Sequence, residues 1–321
     1  MTGLLAVAAA EALLLVLAAP LLGGLARTLR ARLEGRRGPG VLQSYRDLGK
    51  LMRRGPVISD DASGVSLMAP ALVFGAMVTA AALVPIGAGW GALAFAGDAV
   101  ALLGVLAAGR FVLALAAFDA GGALAAGGSA REVTIGTLLM PTLMLALVSA
   151  GLAAGSTGLG PMAAALAQRG FQGAGEAQVL ALAAVALAVL ADTGRIPFDD
   201  PDTRLELAMT QGALWRDLSG RHLGLVRWAA DVEQLVLLVL IANIFIPGGR
   251  VVVPGADSST LAALAIALAI VVGKVVAVTV GYALVERATA RLRFFRAPDL
   301  LGVAFAAALV GTIFALYGGA A

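Results

Sequence analysis

The chain contains no cysteine and a single histidine, His222. Without cysteine it cannot form a disulfide, a thiolate zinc site or the usual cysteine ligation of an iron–sulfur cluster. One histidine also argues against haem and against multi-histidine metal sites. We therefore expect that this chain binds no metal and no cofactor of its own, and that any redox centre belongs to a partner subunit.

Charge is also scarce. Only 13% of the 321 residues are charged, 60% are apolar, and the mean hydropathy is +0.94. A soluble globular protein and a disordered chain are both excluded by that balance. The net charge is only +3, so the high isoelectric point reflects a small surplus of arginine and not a nucleic-acid-binding face. We expect no nucleic-acid partner.

Long apolar runs fill the chain instead. A bilayer core of roughly 30 Å requires about 20 mainly apolar residues in a helix, because lipid offers no partner for an unpaired backbone group. We predict an all-α polytopic membrane protein, a single domain over residues 1–321 with about eight transmembrane helices. The first segment lacks a basic leader and is expected to be a retained span, not a cleaved signal peptide. The predicted spans, of which the fifth is the shortest, are residues 4–25, 66–87, 98–118, 132–154, 175–193, 225–247, 260–284 and 299–319.

Arginine and lysine predict the orientation of these spans, because cytoplasmic loops accumulate both residues. The loops after the first, third, fifth and seventh spans carry nearly all of the 23 basic residues. The opposite side has only Arg169 and Arg250, while Arg110 and Lys274 fall inside spans. We therefore expect both termini to lie outside the cytoplasm.

The first cytoplasmic loop contains an amphipathic segment, residues 41–54. Its apolar side chains, among them Tyr45, Leu48 and Leu51, recur at helical spacing between charged residues. That pattern predicts a helix lying along the cytoplasmic interface, with too much charge to cross the membrane. It could be a lipid-facing anchor attracted to anionic headgroups or a functional surface, and both interpretations stay open.

The loop of residues 192–224 is unusually acidic for this chain. Asp200 before Pro201 and Asp202 is typical of a helix start, with an N-cap, proline at the first position and a favourable acidic first turn. We predict a helix in this cytoplasmic loop. Capping explains those three residues but not their clustering with Arg195, Asp199 and Glu206.

A third loop, from Asp119 to Glu132, is rich in glycine. Its charges lie only at the two ends, at Asp119, Arg131 and Glu132. Such a composition is typical of a flexible linker.

Motifs in these loops match a known family. They are Arg36-Arg37-Gly38-Pro39, the stretch from Asp119 to Gly127-Gly128-Ser129-Ala130-Arg131-Glu132, Arg195-Ile196-Pro197-Phe198-Asp199-Asp200-Pro201 with Thr203, Leu205-Glu206-Leu207 and Met209, and Ser219-Gly220-Arg221-His222-Leu223. The loops, in this order and on one side of the predicted spans, resemble those of the membrane heel subunit of respiratory complex I and its relatives in group 4 nickel–iron hydrogenases. The 192–224 loop is most similar to that of formate-hydrogenlyase-type membrane subunits.

The resemblance implies a role and partners. The family's subunit lies beneath an electron-carrying peripheral arm and links it to antiporter-like membrane subunits, so redox free energy is converted into movement of protons or ions. It implies hydrogenase-like large and small subunits on the cytoplasmic side, which would hold the nickel–iron and iron–sulfur centres. It also implies a bacterial or archaeal cytoplasmic membrane and contact with its lipids.

Two departures from the family pattern bear on proton transfer. Arg204 replaces the usual histidine, and Gln211-Gly212 stands where hydrogenase relatives usually carry a histidine and a glutamate. Loss of these titratable groups predicts weaker coupling through this loop, or a divergent complex.

Charged side chains within or beside the spans are candidates for coupling, because an ionisable group at membrane depth is costly and normally has a partner. Arg110 and Lys274 could each be a fixed counter-ion or a proton relay. For Glu286, at the end of the seventh span, we expect ordinary solvation at the interface.

If the carboxylates at the cytoplasmic face converge, burial and mutual repulsion would let them hold and release protons near neutrality. A change in the partner's redox state would then pass along Arg110 and Lys274. The carboxylates are Asp119, Glu132, Asp192, Asp199, Glu206, Asp231, Glu233 and Glu286.

We expect other charged residues of these loops to dock the redox arm. His222, alone beside Arg221, is interpreted as a hydrogen-bonding docking residue and not as a metal ligand. The predicted docking residues are Arg36, Arg37, Arg131, Arg195, Asp200, Asp202, Arg204, Arg221 and His222.

Two other functions remain open. A complex I subunit would accept a lipid-soluble quinone in the space under the amphipathic helix. A stand-alone ion-coupled transporter would show inverted repeats and a midplane site. The sequence has no convincing repeat, and its conspicuous charge lies on one face of the membrane.

Overall fold

The computed structural model describes residues 2–86, 97–170, 175–199, 210–246, 260–290, 292 and 296–318. Almost all of these residues are helical and none of them forms a β-strand, which confirms the all-α prediction. The helices are α1 Thr2–Leu33, α2 Gln43–Met52, α3 Gly64–Leu83, α4 Ala99–Asp119, α5 Ala123–Ala154, α6 Leu159–Arg169, α7 Glu176–Asp192, α8 Gln211–Leu214, α9 Gly220–Leu240, α10 Thr260–Ala288 and α11 Ala297–Gly318, with a π-helix at Ile241–Phe245.

Seven of the described helices are long and apolar enough to cross a membrane: α1, α3, α4, α5, α9 with its π-helical end, α10 and α11. The chain is therefore a multi-pass membrane protein. Helix α7 corresponds to the shortest predicted span. Its 17 residues extend about 26 Å, somewhat less than the hydrocarbon core.

Helix α7 packs against both α5 and α11. Small buried residues, Ala181, Ala184 and Ala188, allow the neighbouring helices to approach closely. Gly311 of α11 lies against α7, since a Cβ there would be only 3.0 Å from the carbonyl oxygen of Ala177. This short helix therefore belongs to the core of the bundle.

One end of the bundle carries most of the basic residues. It consists of the C-terminal ends of α1, α4, α7 and α10 and the N-terminal ends of α3, α5, α9 and α11, and we call it the basic end. Arg169, by contrast, ends α6, a helix on the opposite end that the sequence did not predict.

The flexible-linker interpretation of the Asp119–Glu132 segment is wrong, because α5 begins at Ala123. Gly128 packs against α8: a Cβ on it would lie 2.6 Å from the Cβ of Ala213 and 3.0 Å from the backbone nitrogen of Leu214. Glycine provides close helix packing at this position, and composition alone does not distinguish that use from flexibility.

The predicted amphipathic helix is confirmed as α2, and it packs on the bundle. It contacts α1 and α9, and its Ser44 and Leu48 side chains are buried. A helix that served only as a lipid anchor would leave these side chains facing lipid. The structure therefore favours a role for α2 in forming a protein surface.

Helix α1 is hydrogen-bonded to α2 and α9 one turn before Pro20. Proline has no backbone N–H, so the carbonyl of Val16 is left without its intrahelical donor. The indole Nε1 of Trp228 in α9 donates to that oxygen at 2.8 Å, and the Tyr45 hydroxyl of α2 donates to the next carbonyl, that of Leu17. Helices α9 and α2 are therefore hydrogen-bonded to α1 at the place where Pro20 interrupts its backbone hydrogen bonds.

Substituting Trp228→Phe should lower the free energy of unfolding by about 1 kcal/mol, because the Val16 carbonyl loses a donor that Pro20 cannot replace. Thermal unfolding of the detergent-solubilised chain measures the effect as a lower Tm. Phe111→Leu is the control, since that side chain is 65% exposed. An unchanged Tm for Trp228→Phe would show that the indole bond contributes nothing.

Candidate functional site

The side chain of Arg110, on α4, lies at the centre of a buried ionic cluster. Its guanidinium forms ion pairs with Asp192 at the end of α7, with Glu132 of α5 at 3.5 Å and with Glu233 of α9 at 3.3 Å. All four side chains are between 1% and 15% exposed. We call Arg110, Glu132, Asp192 and Glu233 the Arg110 cluster, and it joins four helices of the bundle.

The cluster contains three carboxyl groups and one guanidinium. Fully ionised, it would carry a net charge of −2 in a region largely closed to water. Unbalanced charge of that kind is costly to bury, and a bound proton reduces the cost. Because the four groups are in contact, a change of charge on one of them alters the electrostatic energy of the other three.

Asp199 lies beside this cluster and holds α8 in place. Its carboxylate is 5% exposed, and its Oδ2 accepts hydrogen bonds from the backbone nitrogens of Thr210 at 2.9 Å and Gln211 at 3.3 Å. Its charge also acts on Glu132. One side chain therefore caps a short helix and contributes to the field at the cluster.

A cavity of about 320 Å³ lies beneath α2, and we call it the vestibule. It is bounded by α1, α2 and α9 and by the segments around the end of α7 and the start of α8. At about 30 Å³ per molecule, this volume holds on the order of ten waters. Its charged lining residues are Arg27, Arg30, Asp47, Asp192, Arg195, Arg227, Asp231 and Glu233.

Asp231 reaches into the vestibule from α9. Gly23 of α1 makes room for it, because a Cβ at that position would lie 2.6 Å from Oδ1 of the aspartate. The positive charges of Arg27, Arg195 and Arg227 attract its carboxylate. The vestibule therefore contains a carboxylate surrounded by cations.

A second, inner cavity of about 40 Å³ adjoins the Arg110 cluster. Arg110, Glu132 and Glu233 line it, together with apolar residues of α3, α4 and α9. It has room for about one water molecule. Glu233 lines both cavities, so it lies between the vestibule and the inner cavity.

Glu286 forms a separate buried ion triad. Its carboxylate contacts Arg30 of α1 at 2.8 Å and Arg195, just after α7, at 2.9 Å. It is only 4% exposed, so the expectation of ordinary interfacial solvation is wrong. The two partners lie 256 and 91 residues away in sequence, so no local pattern could have revealed the triad.

Asp119 and Lys274, two of the predicted coupling residues, line neither the vestibule nor the inner cavity and lie outside the Arg110 cluster. Asp119 accepts hydrogen bonds from the backbone nitrogens of Ser63 and Ser66 at 2.9 and 3.0 Å and from the Ser66 hydroxyl at 2.6 Å, so it caps the start of α3. Lys274 donates to the carbonyl oxygens of Ala242 and Ile246 at 3.2 and 2.9 Å.

Ala242 lies in the π-helix at the end of α9 and Ile246 directly follows it, so Lys274 satisfies backbone carbonyls where the regular α-helical hydrogen bonding ends. Ala242 follows Glu233 by nine residues in the α9 segment, which corresponds to roughly 13 Å along the axis. The expected path along Arg110 and Lys274 is therefore not a continuous set of contacts among the described residues.

The predicted docking residues differ in exposure. Arg36, Arg37 and Arg221 are exposed and Arg131 is half-buried, whereas His222 is buried at the start of α9. The Arg195 side chain is 11% exposed and directed at Glu286. Four predicted residues lie outside the described part of the chain: Asp200, Asp202, Arg204 and Glu206.

Most residues of the vestibule lining were not among the predicted site residues. A usable signal was present: Arg27 and Arg30 are three residues apart on α1, and Arg227 and Asp231 are four apart on α9, so each pair shares a helix face.

No group of three or more histidine, aspartate or glutamate side chains in the described ranges is arranged to hold a metal ion.

Comparison with known proteins identifies the family. The NADH dehydrogenase family model matches residues 5–316, and the chain belongs to this family, of the complex I subunit 1/H type. Formate hydrogenlyase subunit 4 of Escherichia coli (strain K12) is 35% identical over 312 residues, which cover 94% of this chain and 96% of the relative. The resemblance read from the loops is thereby confirmed.

A further relative and a solved structure agree with this assignment. Hydrogenase-4 component C of the same organism is 33% identical over 311 residues, which cover 97% of this chain and 96% of the relative. A chain in the structure of the membrane-bound sulfane sulfur reductase, an archaeal respiratory membrane complex, has the same fold. Its TM-score is 0.82 at 21% identity, covering 95% of this chain and 98% of that one.

Replacing Arg110 by leucine should destabilise the chain by about 3–5 kcal/mol, because three buried carboxyl groups lose their shared cation. Adding Asp192→Asn should recover part of that loss, and a double-mutant cycle over the four proteins measures the coupling energy as changes in unfolding free energy. Arg36→Leu, at a 79% exposed side chain, serves as the matched control. Strict additivity of the two cluster substitutions would contradict a direct ion pair.

Proposed function

We propose that this chain is a membrane-anchoring and energy-coupling subunit of a complex related to group 4 hydrogenases and formate hydrogenlyase. In this role it links redox chemistry in a cytoplasmic arm to movement of protons or ions. Similarity to formate hydrogenlyase subunit 4 and hydrogenase-4 component C along almost the whole chain supports the assignment. The observation that carries the mechanism is the convergence of Glu132, Asp192 and Glu233 on Arg110.

The subunit would lie in the cytoplasmic membrane of a bacterium or archaeon, with both termini outside and the basic end toward the cytoplasm. Hydrogenase-like large and small subunits would dock on that end and would hold the nickel–iron and iron–sulfur centres. The exposed Arg36, Arg37 and Arg221 are available for this contact. Antiporter-like subunits and lipids would cover the apolar sides of the bundle.

The Arg110 cluster is suited to respond to charge in the docked arm. A unit charge appearing about 15 Å away, at an effective dielectric constant near 20, changes the energy of a bound proton by about 1.1 kcal/mol, which is roughly a sixfold change in proton affinity. Reduction of the arm would thus favour proton uptake by the cluster, and oxidation would favour release. Waters in the vestibule would exchange these protons with the cytoplasm through Glu233.

The quinone-binding alternative concerns the same space beneath α2. One observation favours it: α1 and α9, which border the vestibule, also border an apolar groove of about 270 Å³ with α10, and that groove could take an aliphatic tail. The eight charged residues of the vestibule favour water over a neutral quinone ring. Water access to the cluster is therefore the better-supported use of the cavity.

The test is Glu233→Gln in the complete complex, in inverted membrane vesicles from the host. Hydrogen turnover should continue while proton translocation, followed with a pH-sensitive dye, falls severalfold per turnover, because the carboxyl between the two cavities no longer titrates. Glu176→Gln, the same change at an exposed side chain at the start of α7, should leave the ratio unchanged.

An unchanged ratio of protons to turnover in Glu233→Gln would contradict the proposal. If membranes showed inhibitor-sensitive quinone reduction and no hydrogen turnover, the quinone-binding alternative would replace it.

A further inference from the structure

We infer that Gln211 and Trp215 form a partition between the vestibule and the inner cavity, which leaves the Glu233 carboxyl as the group through which protons cross. The partition itself is inferred from the residues that line the two cavities. Its importance for coupling rests on the function proposed above.

The two cavities share a wall. Gln211, Trp215, Ala230 and Glu233 line both of them. A carboxamide, an indole and a methyl group neither take up nor release protons near neutral pH, so among the described residues Glu233 is the one titratable member of the wall. Water on either side can therefore exchange protons through this carboxyl without passing through the wall itself.

Gln211 is held in place by several contacts. Its Nε2 donates to the carbonyl oxygen of Asp192, and its backbone nitrogen donates to Oδ2 of Asp199 at 3.3 Å. Its carboxamide lies over Gly194, whose φ is +57° and whose Cβ, if present, would be 2.8 Å from Oε1 of the glutamine. Glycine at 194 therefore leaves the space that Gln211 occupies.

Packing against α4 and α5 holds Trp215 and α8 in place. Trp215 packs on a small apolar cluster of Ala117, Ala125 and Leu214, which brings together α4, α5 and α8. Helix α8 rests on Gly128 of α5 at a separation that admits no side chain. The partition is thus supported by two long helices, and its position follows theirs.

The position of Gln211 in the wall gives its neutral side chain a role. A neutral amide separates vestibule water from the inner cavity, which Arg110 and Glu132 line, and leaves Glu233 as the carboxyl that faces both cavities. Replacing the glutamine by a smaller residue would join the two cavities, and water would then reach Arg110 and Glu132 without Glu233.

Accessibility of an introduced thiol tests the partition directly, because the chain has no native cysteine. Ala229→Cys places a thiol on the inner cavity alone, and Ser44→Cys places one on the vestibule alone. The complete complex in native membranes is exposed to Ag⁺, a small thiol-binding ion that travels through water. Unreacted thiol is then counted after denaturation, by the gel shift of this chain with a polyethylene-glycol maleimide.

With Gln211 intact, Ag⁺ should block Ser44→Cys quickly and Ala229→Cys slowly. Adding Gln211→Ala should speed the reaction of Ala229→Cys by at least about tenfold and leave Ser44→Cys unchanged, because only the route to the inner cavity opens. Gly194→Ala, which displaces the Gln211 carboxamide from the other side, should have the same effect.

Equal rates at the two thiols in the presence of Gln211 would overturn the inference, as would no change on Gln211→Ala. A rise at both thiols would contradict it too, since it would mark general loosening and not a local opening. These measurements involve no redox turnover. If Glu233→Gln left proton movement intact while the thiols behaved as expected, the coupling role would fail and the partition would stand.

Discussion

The attraction between the Arg110 guanidinium and three carboxylates from three other helices is the interaction on which this bundle depends. Apolar packing alone would let α4, α5, α7 and α9 slide or rotate, since lipid tails compete equally well for aliphatic surface. Charges buried at this depth are stable only when they face one another. The cluster therefore fixes the relative position of the four helices.

The remainder of the basic end encloses the vestibule next to that cluster. Helix α2 covers the vestibule from the side and is attached to α1 and α9 at the break made by Pro20. The Arg30–Glu286–Arg195 triad ties α1 and α10 to the turn after α7. Asp199 holds α8 against the cluster. Each of these contacts satisfies a polar group that burial would otherwise leave unpaired, and together they bound a charged cavity.

Much of the architecture could be predicted from the sequence, because a lipid environment requires long apolar helices and the loops carry family motifs. Arg110, Glu132, Asp192 and Glu233 were among the predicted coupling residues, but no spacing indicated that they meet. The Glu286 triad, the cap formed by Asp119 and the bonds of Lys274 to the π-helix all depend on partners distant in sequence. The glycine-rich segment was misread because a glycine used for close packing has the same composition as one used for flexibility.

In the proposed function, the Arg110 cluster changes its protonation when the redox arm changes state. Redox-induced infrared difference spectroscopy of the complete complex measures this directly, through the C=O stretch of protonated carboxyl groups. If the cluster takes up a proton, reduction should produce a carboxyl difference band that shifts in D₂O. The band should be lost or moved in Glu132→Gln and Glu233→Gln. A spectrum without such a band, or a band that neither substitution affects, would contradict it.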